Sequence, residues 1–184
     1  MKNIQILAIS GSLRSNSSNT AILHAVANLA PEENVIIQQF EGLGNFPHFS
    51  PGIDENNSFI TDFRRKIEAA DGVIICTPEY AFGVPGVLKN ALDWIVSTGE
   101  LNGKPVAAIS ASPLNSGGDK ALASLLLTLT ALGTTKNESS SLSIPNIKSK
   151  LDATGTITDE QLTESLTRIL DNLLNLIESQ KTIS

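Results

Sequence analysis

The chain has 184 residues, 41% of them hydrophobic, and a net charge of -6 with a pI near 4.9. That length can bury one sizeable core and predicts a single domain over residues 1–184. The acidic balance argues against a nucleic-acid partner or an anionic membrane surface, and no apolar run approaches the roughly 18 residues of a membrane span. One cysteine, Cys76, leaves no internal disulfide or multi-cysteine metal site and suits a reducing cytoplasm. Met1-Lys2-Asn3-Ile4 runs straight into an apolar segment, with no secretion signal expected.

The first predicted strand covers about residues 3 to 10, and a helix follows near 19 to 30. Between them runs Gly11-Ser12-Leu13-Arg14-Ser15-Asn16-Ser17-Ser18-Asn19. A glycine for the turn, hydroxyls and amides as donors, and one arginine suit a single phosphate at a helix N-terminus. A polar turn with a good N-cap explains the serines and asparagines equally well, although a cap has no use for Arg14. The loop lacks the second and third glycines of a dinucleotide fingerprint. Gly99 to Lys104 is one spacer short of a nucleoside-triphosphate loop, and Pro105 stands where a magnesium-binding hydroxyl belongs.

A second strand near 34 to 40 leads into Gly42–Asn57, a stretch dense in turn residues that reads as a long surface connection. A helix near 57 to 70 precedes the third strand, about 72 to 77, where Val73-Ile74-Ile75-Cys76 is apolar throughout, as in a strand covered on both faces. Thr77-Pro78-Glu79-Tyr80-Ala81-Phe82-Gly83-Val84-Pro85-Gly86 comes next, two prolines bracketing an aromatic pair. Such a segment can border a flat ring; loop packing is the plainer reading of Tyr80 and Phe82. Glu79 reads as a structural carboxylate capping nearby amides, with a buried base as the alternative.

Helix near 86 to 97, strand near 105 to 110 and helix near 118 to 132 continue the alternation. The turn Ser110-Ala111-Ser112-Pro113-Leu114-Asn115-Ser116-Gly117-Gly118 has paired glycines that let backbone amides approach a ligand. A fifth strand near 138 to 143 and a helix near 159 to 179 finish the pattern. The last helix shows one apolar face, with Leu162, Leu166, Ile169, Leu170, Leu173, Leu174 and Ile177, and a capping box at Thr158 and Gln161. Cys76 reads as a small buried hydrophobe, and His24 and His48 have no partners at metal spacing.

Strands alternating with helices predict an α/β parallel sheet, whose ligands sit outside the strands' carboxyl ends where the strand order reverses. The loops after strands one, three and four therefore converge. Two motifs resemble the NADPH-dependent FMN reductase family, the flavodoxin-like group that includes chromate and quinone reductases and azoreductase-like enzymes. One is Gly11-Ser12-Leu13-Arg14 with Ser17 and Asn19. The other is Pro78-Glu79-Tyr80 followed by Pro85-Gly86-Val87-Leu88-Lys89-Asn90-Ala91-Leu92-Asp93-Trp94. The likeness runs from about residue 3 to about residue 130.

The resemblance implies a flavodoxin-like three-layer sandwich with a five-stranded parallel sheet in the order 2-1-3-4-5. It also implies FMN as cofactor, NADPH or NADH as electron donor, and a small-molecule acceptor such as a quinone, flavin, azo compound or metal oxyanion. By the same resemblance Ser12, Arg14, Ser17 and Asn19, with Thr20 beside them, hold the FMN phosphate. Pro78, Glu79 and Tyr80 wall the isoalloxazine ring, and Ser112, Gly117 and Gly118 border its pyrimidine edge. A cytoplasmic homodimer or homotetramer is implied as well. Two departures stand out. Ala81 occupies a position where the family commonly has asparagine, so only its backbone can serve, and Asp119-Lys120 follow the paired glycines where the family often has alanine and arginine. The carboxylate of Asp119 weakens the case for a nucleotide 2′-phosphate there. An electron carrier without a substrate pocket, or a non-catalytic flavin-binding protein, is the alternative reading.

Overall fold

The computed structural model describes residues 3–52 and 57–183. Five parallel strands, β1 (Ile4–Ser10), β2 (Val35–Gln39), β3 (Gly72–Thr77), β4 (Val106–Ala111) and β5 (Ser141–Ile144), form one sheet in the order β2-β1-β3-β4-β5. Five helices connect and cover them: α1 (Ser18–Leu29), α2 (Ser58–Ala69), α3 (Gly86–Asp93), α4 (Asp119–Ala131) and α5 (Glu160–Ile183). The expected order and architecture are therefore present.

Alternation along the central strands divides the core into two layers. Ile6, Ala8, Ile74, Cys76, Ala107 and Ile109 face one side and pack against Ile22 and Val26 of α1 and Leu166, Leu170 and Leu173 of α5. Leu7, Ile9, Val73, Ile75, Val106 and Ala108 face the other, against Phe63 and Ile67 of α2, Leu88 and Leu92 of α3, and Leu125 and Leu129 of α4. Both layers are buried, which shields the sheet's ladder bonds from solvent.

Three boundaries depart from the sequence reading. The fifth strand begins at Ser141, because Asn137 caps a short turn over Glu138–Ser140 by accepting from the Ser139 amide, a local bond that competes with the sheet ladder. Helix α3 ends at Asp93 rather than near 97. There the amides of Ile95 and Val96 turn to carbonyls three residues back, and the Trp94 carbonyl accepts from Arg64 Nη2 at 2.7 Å. Helix α5 runs to Ile183 rather than ending near 179, and it has no Thr158–Gln161 capping box. Asp159 caps it, its Oδ1 accepting from the Leu162 amide at 2.7 Å and its Oδ2 pairing with Lys150 at 2.8 Å. The Lys150 ammonium, followed by that amide bond, holds the Asp159 carboxyl below the usual carboxylate range.

The Gly42–Asn57 connection is more than surface chain in its described part. Leu43 is buried, Phe46 packs edge-on against Phe40 and Phe63, and the Pro47 carbonyl accepts from both Asn90 Nδ2 and Trp94 Nε1. Asn90 and Trp94, prominent in the second motif, thus fasten this segment to α3. Positions 53 to 56 of that predicted loop lie outside the described residues.

Candidate active site

The strand order reverses between β1 and β3, from which the chain departs to opposite sides of the sheet. Gly11 continues the pairing past β1, its amide donating to the Cys76 carbonyl at 2.8 Å, and a Cβ there would lie 3.0 Å from both Thr77 Oγ1 and Leu88 Cδ2. A glycine is what lets the β1 loop leave the sheet so close to β3. The result is a cleft of about 270 Å³ at the carboxyl end of the sheet. Ser12, Arg14, Ser17, Asn19, Pro78, Glu79, Tyr80 and Ser112 all border it, together with Lys148.

On the β1 side the loop is shaped by its own hydroxyls. Ser12 Oγ accepts from the Arg14 amide at 3.3 Å, and Ser17 is the N-cap of α1, accepting from the Asn19 amide at 3.2 Å. The capping role and a phosphate role are compatible, since a hydroxyl that accepts from one amide still has a proton to donate. The Arg14 guanidinium has no ion-pair partner among the described residues. Asn19 is buried, and its Oδ1 accepts from the Cys76 thiol at 3.2 Å, which fixes the orientation of the amide. Burial pushes the Cys76 thiol well above its ordinary range. It is therefore a neutral donor and not a nucleophile. Thr20 stands one residue deeper in α1, its hydroxyl bonded to Ser10 Oγ at 2.9 Å, and it faces a neighbouring hollow rather than the cleft.

The opposite wall is stiff. Tyr80 and Gly83 exchange backbone hydrogen bonds of 3.0 Å in both directions, closing a two-residue turn over Ala81 and Phe82. Both central residues have positive φ, 49° and 62°, the backbone of a type I′ turn that asparagine and glycine adopt more readily. Tyr80 lines the cleft, whereas Ala81 and Phe82 stand outside its lining and Phe82 is 80% exposed.

Glu79 caps α4 across the fold. Its Oε2 accepts from the amides of Lys120 at 2.9 Å and Ala121 at 3.0 Å, the amide-capping geometry of the structural carboxylate read from the sequence. These are two of the four amides that a helix N-terminus leaves unpaired. Gly118, the residue before α4, has φ of 81°, and a Cβ there would meet Ser110 Cβ at 3.3 Å and Glu79 Cβ at 3.5 Å. Gly117 is tighter still: its Cβ would lie 2.3 Å from Ser143 Oγ. The paired glycines therefore stand behind the wall and allow the β3, β4 and β5 ends to meet, while Ser112 lines the cleft directly.

Residues from three loops thus converge around one polar cleft, cationic at the β1 end and turn-stiffened at the other. The donor set suits a phosphorylated planar group such as FMN. A guanidinium without a counter-ion among the described residues and the start of α1 could hold its phosphate, and Pro78 and Tyr80 could offer an edge to its ring.

Comparison with known proteins agrees with this geometry. The model of the NADPH-dependent FMN reductase family matches residues 4–149. The chain belongs to this family. A NAD(P)H-dependent FMN reductase of Pseudomonas aeruginosa is 32% identical over 180 residues, covering 93% of this chain and 94% of that protein. A 2-hydroxy-1,4-benzoquinone reductase of a Burkholderia species is 33% identical over 172 residues, covering 91% and 93%. The flavoenzyme NAD(P)H:(acceptor) oxidoreductase of Paracoccus denitrificans superposes with a TM-score of 0.86 at 28% identity, over 96% of this chain and 98% of that one. A flavodoxin-class, WrbA-like protein of Agrobacterium tumefaciens superposes at 0.60 with 14% identity, covering 96% and 99%, and shares the fold.

Membership fixes the reaction class: this is an oxidoreductase that uses FMN and a reduced nicotinamide nucleotide. The carrier and non-catalytic alternatives give way to it. The match also extends beyond residue 130 to the end of β5 and the turn after it. Among the described residues, no helix is long and apolar enough to cross a membrane.

Lys148, at the cleft margin, is the residue that sequence reasoning missed. Only a signal tied to topology pointed to it, since it lies just past the carboxyl end of β5, at the same edge of the sheet as the other loops.

Proposed function

We propose that the cleft between the β1 and β3 loops is the FMN site, and that the enzyme passes electrons from NADPH or NADH to a quinone or a comparable small planar acceptor. The observation that carries this reading is the Arg14 guanidinium, without an ion-pair partner among the described residues, beside the capped start of α1 and across the sheet's switch point from a turn-stiffened wall. Ser12, Arg14, Ser17 and Asn19 take the phosphate, and Thr20 supports them through Ser10. Pro78 and Tyr80 border the ring, and Glu79 holds that border to α4. Ser112 supplies the remaining edge, with Ala81, Gly117 and Gly118 supporting the wall from behind the lining. When bound, FMN supplies the two-electron carrier between donor and acceptor. The protein's own groups bind, orient and shield it, so no side chain is assigned as general acid or base.

Lys120 is paired with Asp119 at 3.2 Å, which leaves less positive charge for a 2′-phosphate and favours use of both nucleotides. Quinone is preferred as acceptor because relatives at 32–33% identity are named for FMN and benzoquinone reduction. We read residues 1–184 as one domain, the assembly as a homodimer or homotetramer, and the location as cytoplasmic, in keeping with a single buried thiol. Anaerobic mixing of the protein, FMN and either nucleotide tests the reading. Loss of the oxidised-flavin absorbance on a turnover timescale, and its return on adding a benzoquinone, is the expected result. Absorbance unchanged by both nucleotides would overturn it.

A further inference from the structure

Lys148 lies in a short turn over Ile147–Lys150, directly after β5. Four features fix its backbone against the cleft. The Ile147 side chain is buried and its amide donates to the Ser112 carbonyl at 3.0 Å. The Asn146 amide donates to the Leu114 carbonyl at 3.2 Å, and Asn146 takes φ of 51° to reverse the chain. Ser112 and Leu114 themselves line the cleft, so the turn that bears Lys148 is built onto the site's wall.

The first two carboxylates after it in sequence are committed elsewhere. Asp159 pairs with Lys150 at 2.8 Å. Asp152 Oδ1 accepts from Thr154 Oγ1 at 2.6 Å and from the Thr154 and Thr156 amides at 2.8 and 2.9 Å. Glu79, the acid that lines the cleft, is held by two α4 amides. Among the described residues the Lys148 ammonium has no ion pair. It borders both the cleft and a hollow of about 620 Å³ on the other flank of the α1 start, and the two spaces share Asn16, Ser17, Ser18 and Lys148.

From this placement we propose that Lys148 is a second phosphate-binding cation, closing the phosphate end of the flavin site from the β5 side while Arg14 closes it from the β1 side. The inference rests on the FMN reading above and deepens it. A phosphate monoester carries close to two negative charges near neutral pH, more than one guanidinium neutralises. Two cations on opposite rims, with the α1 amides between them, meet that charge. The overall charge of -6 makes such local cations the more necessary, because the surrounding protein field opposes an anion.

Dissociation constants for FMN and riboflavin, measured by quenching of flavin fluorescence in the wild type and in Lys148→Gln and Lys148→Arg, test the proposal. The two ligands differ only in the phosphate. Lys148→Gln is expected to weaken FMN about tenfold, to leave riboflavin within twofold of wild type and to flatten the salt dependence of FMN binding. Lys148→Arg is expected to recover most of the FMN affinity. FMN affinity unchanged in Lys148→Gln, or riboflavin weakened as much as FMN, would overturn the role. A wild-type protein that binds FMN no more tightly than riboflavin would overturn the phosphate assignment as a whole, a result distinct from failure of Lys148 alone.

Discussion

The two walls of the cleft use their polar groups in opposite ways. The β1 loop keeps donors in reserve: among the described residues the Arg14 guanidinium has no ion-pair partner, and the Ser12 and Ser17 hydroxyls, while accepting from neighbouring amides, retain their protons. The β3 and β4 loops use theirs on one another. Glu79 accepts from α4, Ser110 Oγ donates to the Gly117 carbonyl at 2.9 Å, and Tyr80 and Gly83 are bonded mutually. Affinity for a charged group therefore resides on one side and the shape offered to a flat ring on the other. A flavin with and without its phosphate separates these contributions.

The largest effect is expected where the shaped wall leaves no room. Gly117 has φ of 65°, and an added Cβ would sit 2.3 Å from Ser143 Oγ and 3.0 Å from the Pro145 nitrogen. Gly117→Ala combines a disfavoured backbone with overpacking against β5 and should lower stability by about 2–4 kcal/mol. Denaturant unfolding measures it. Because the displaced elements carry the ring wall, FMN and riboflavin should both bind more weakly. A variant that loses stability yet keeps both affinities would break the link drawn here between wall and ring.

Arg14→Ala probes the other wall. Loss of a charge-assisted hydrogen bond should cost FMN about 1.5–3 kcal/mol of binding free energy, while riboflavin binding and thermal stability stay near wild type. Titration of both ligands checks this. Equal loss for both would move Arg14 from the phosphate to the ring and erase the contrast between the walls.

Much of this contrast was legible in the sequence, for reasons of range. Short-range signals were sound: the continuous apolar run at Val73–Cys76 marked β3, and the 3.6-residue spacing from Leu162 to Ile177 marked α5. The loops of the cleft were found because strand-to-helix turns rich in Ser, Gly and Pro are local features. What escaped was set by distant partners. Asp159, not Thr158, caps α5 because Lys150 draws its carboxylate to the helix start. Asn90 and Trp94 hold the Pro47 segment, 43 and 47 residues away in sequence. Lys148 belongs to the cleft only through the bonds from Asn146 and Ile147 to the β4 loop, which no local pattern encodes.

The smallest effect sharpens the comparison most, because it concerns strain within the stiff wall. Ala81 and Phe82 occupy positive φ without the residues that favour it. Asparagine tolerates the left-handed region better than alanine, so Ala81→Asn should raise stability by roughly 0.5 kcal/mol and the melting temperature of the flavin-free protein by about 1–2 °C. A fall in melting temperature would mean that the chain leaves this turn in solution, and the wall would then owe its shape to the bound ring. The same variant puts an amide side chain at the wall's edge, where this chain departs from its family. If riboflavin affinity also rises, the departure at Ala81 costs ring binding. If stability alone rises, the turn needs only its backbone to border the ring.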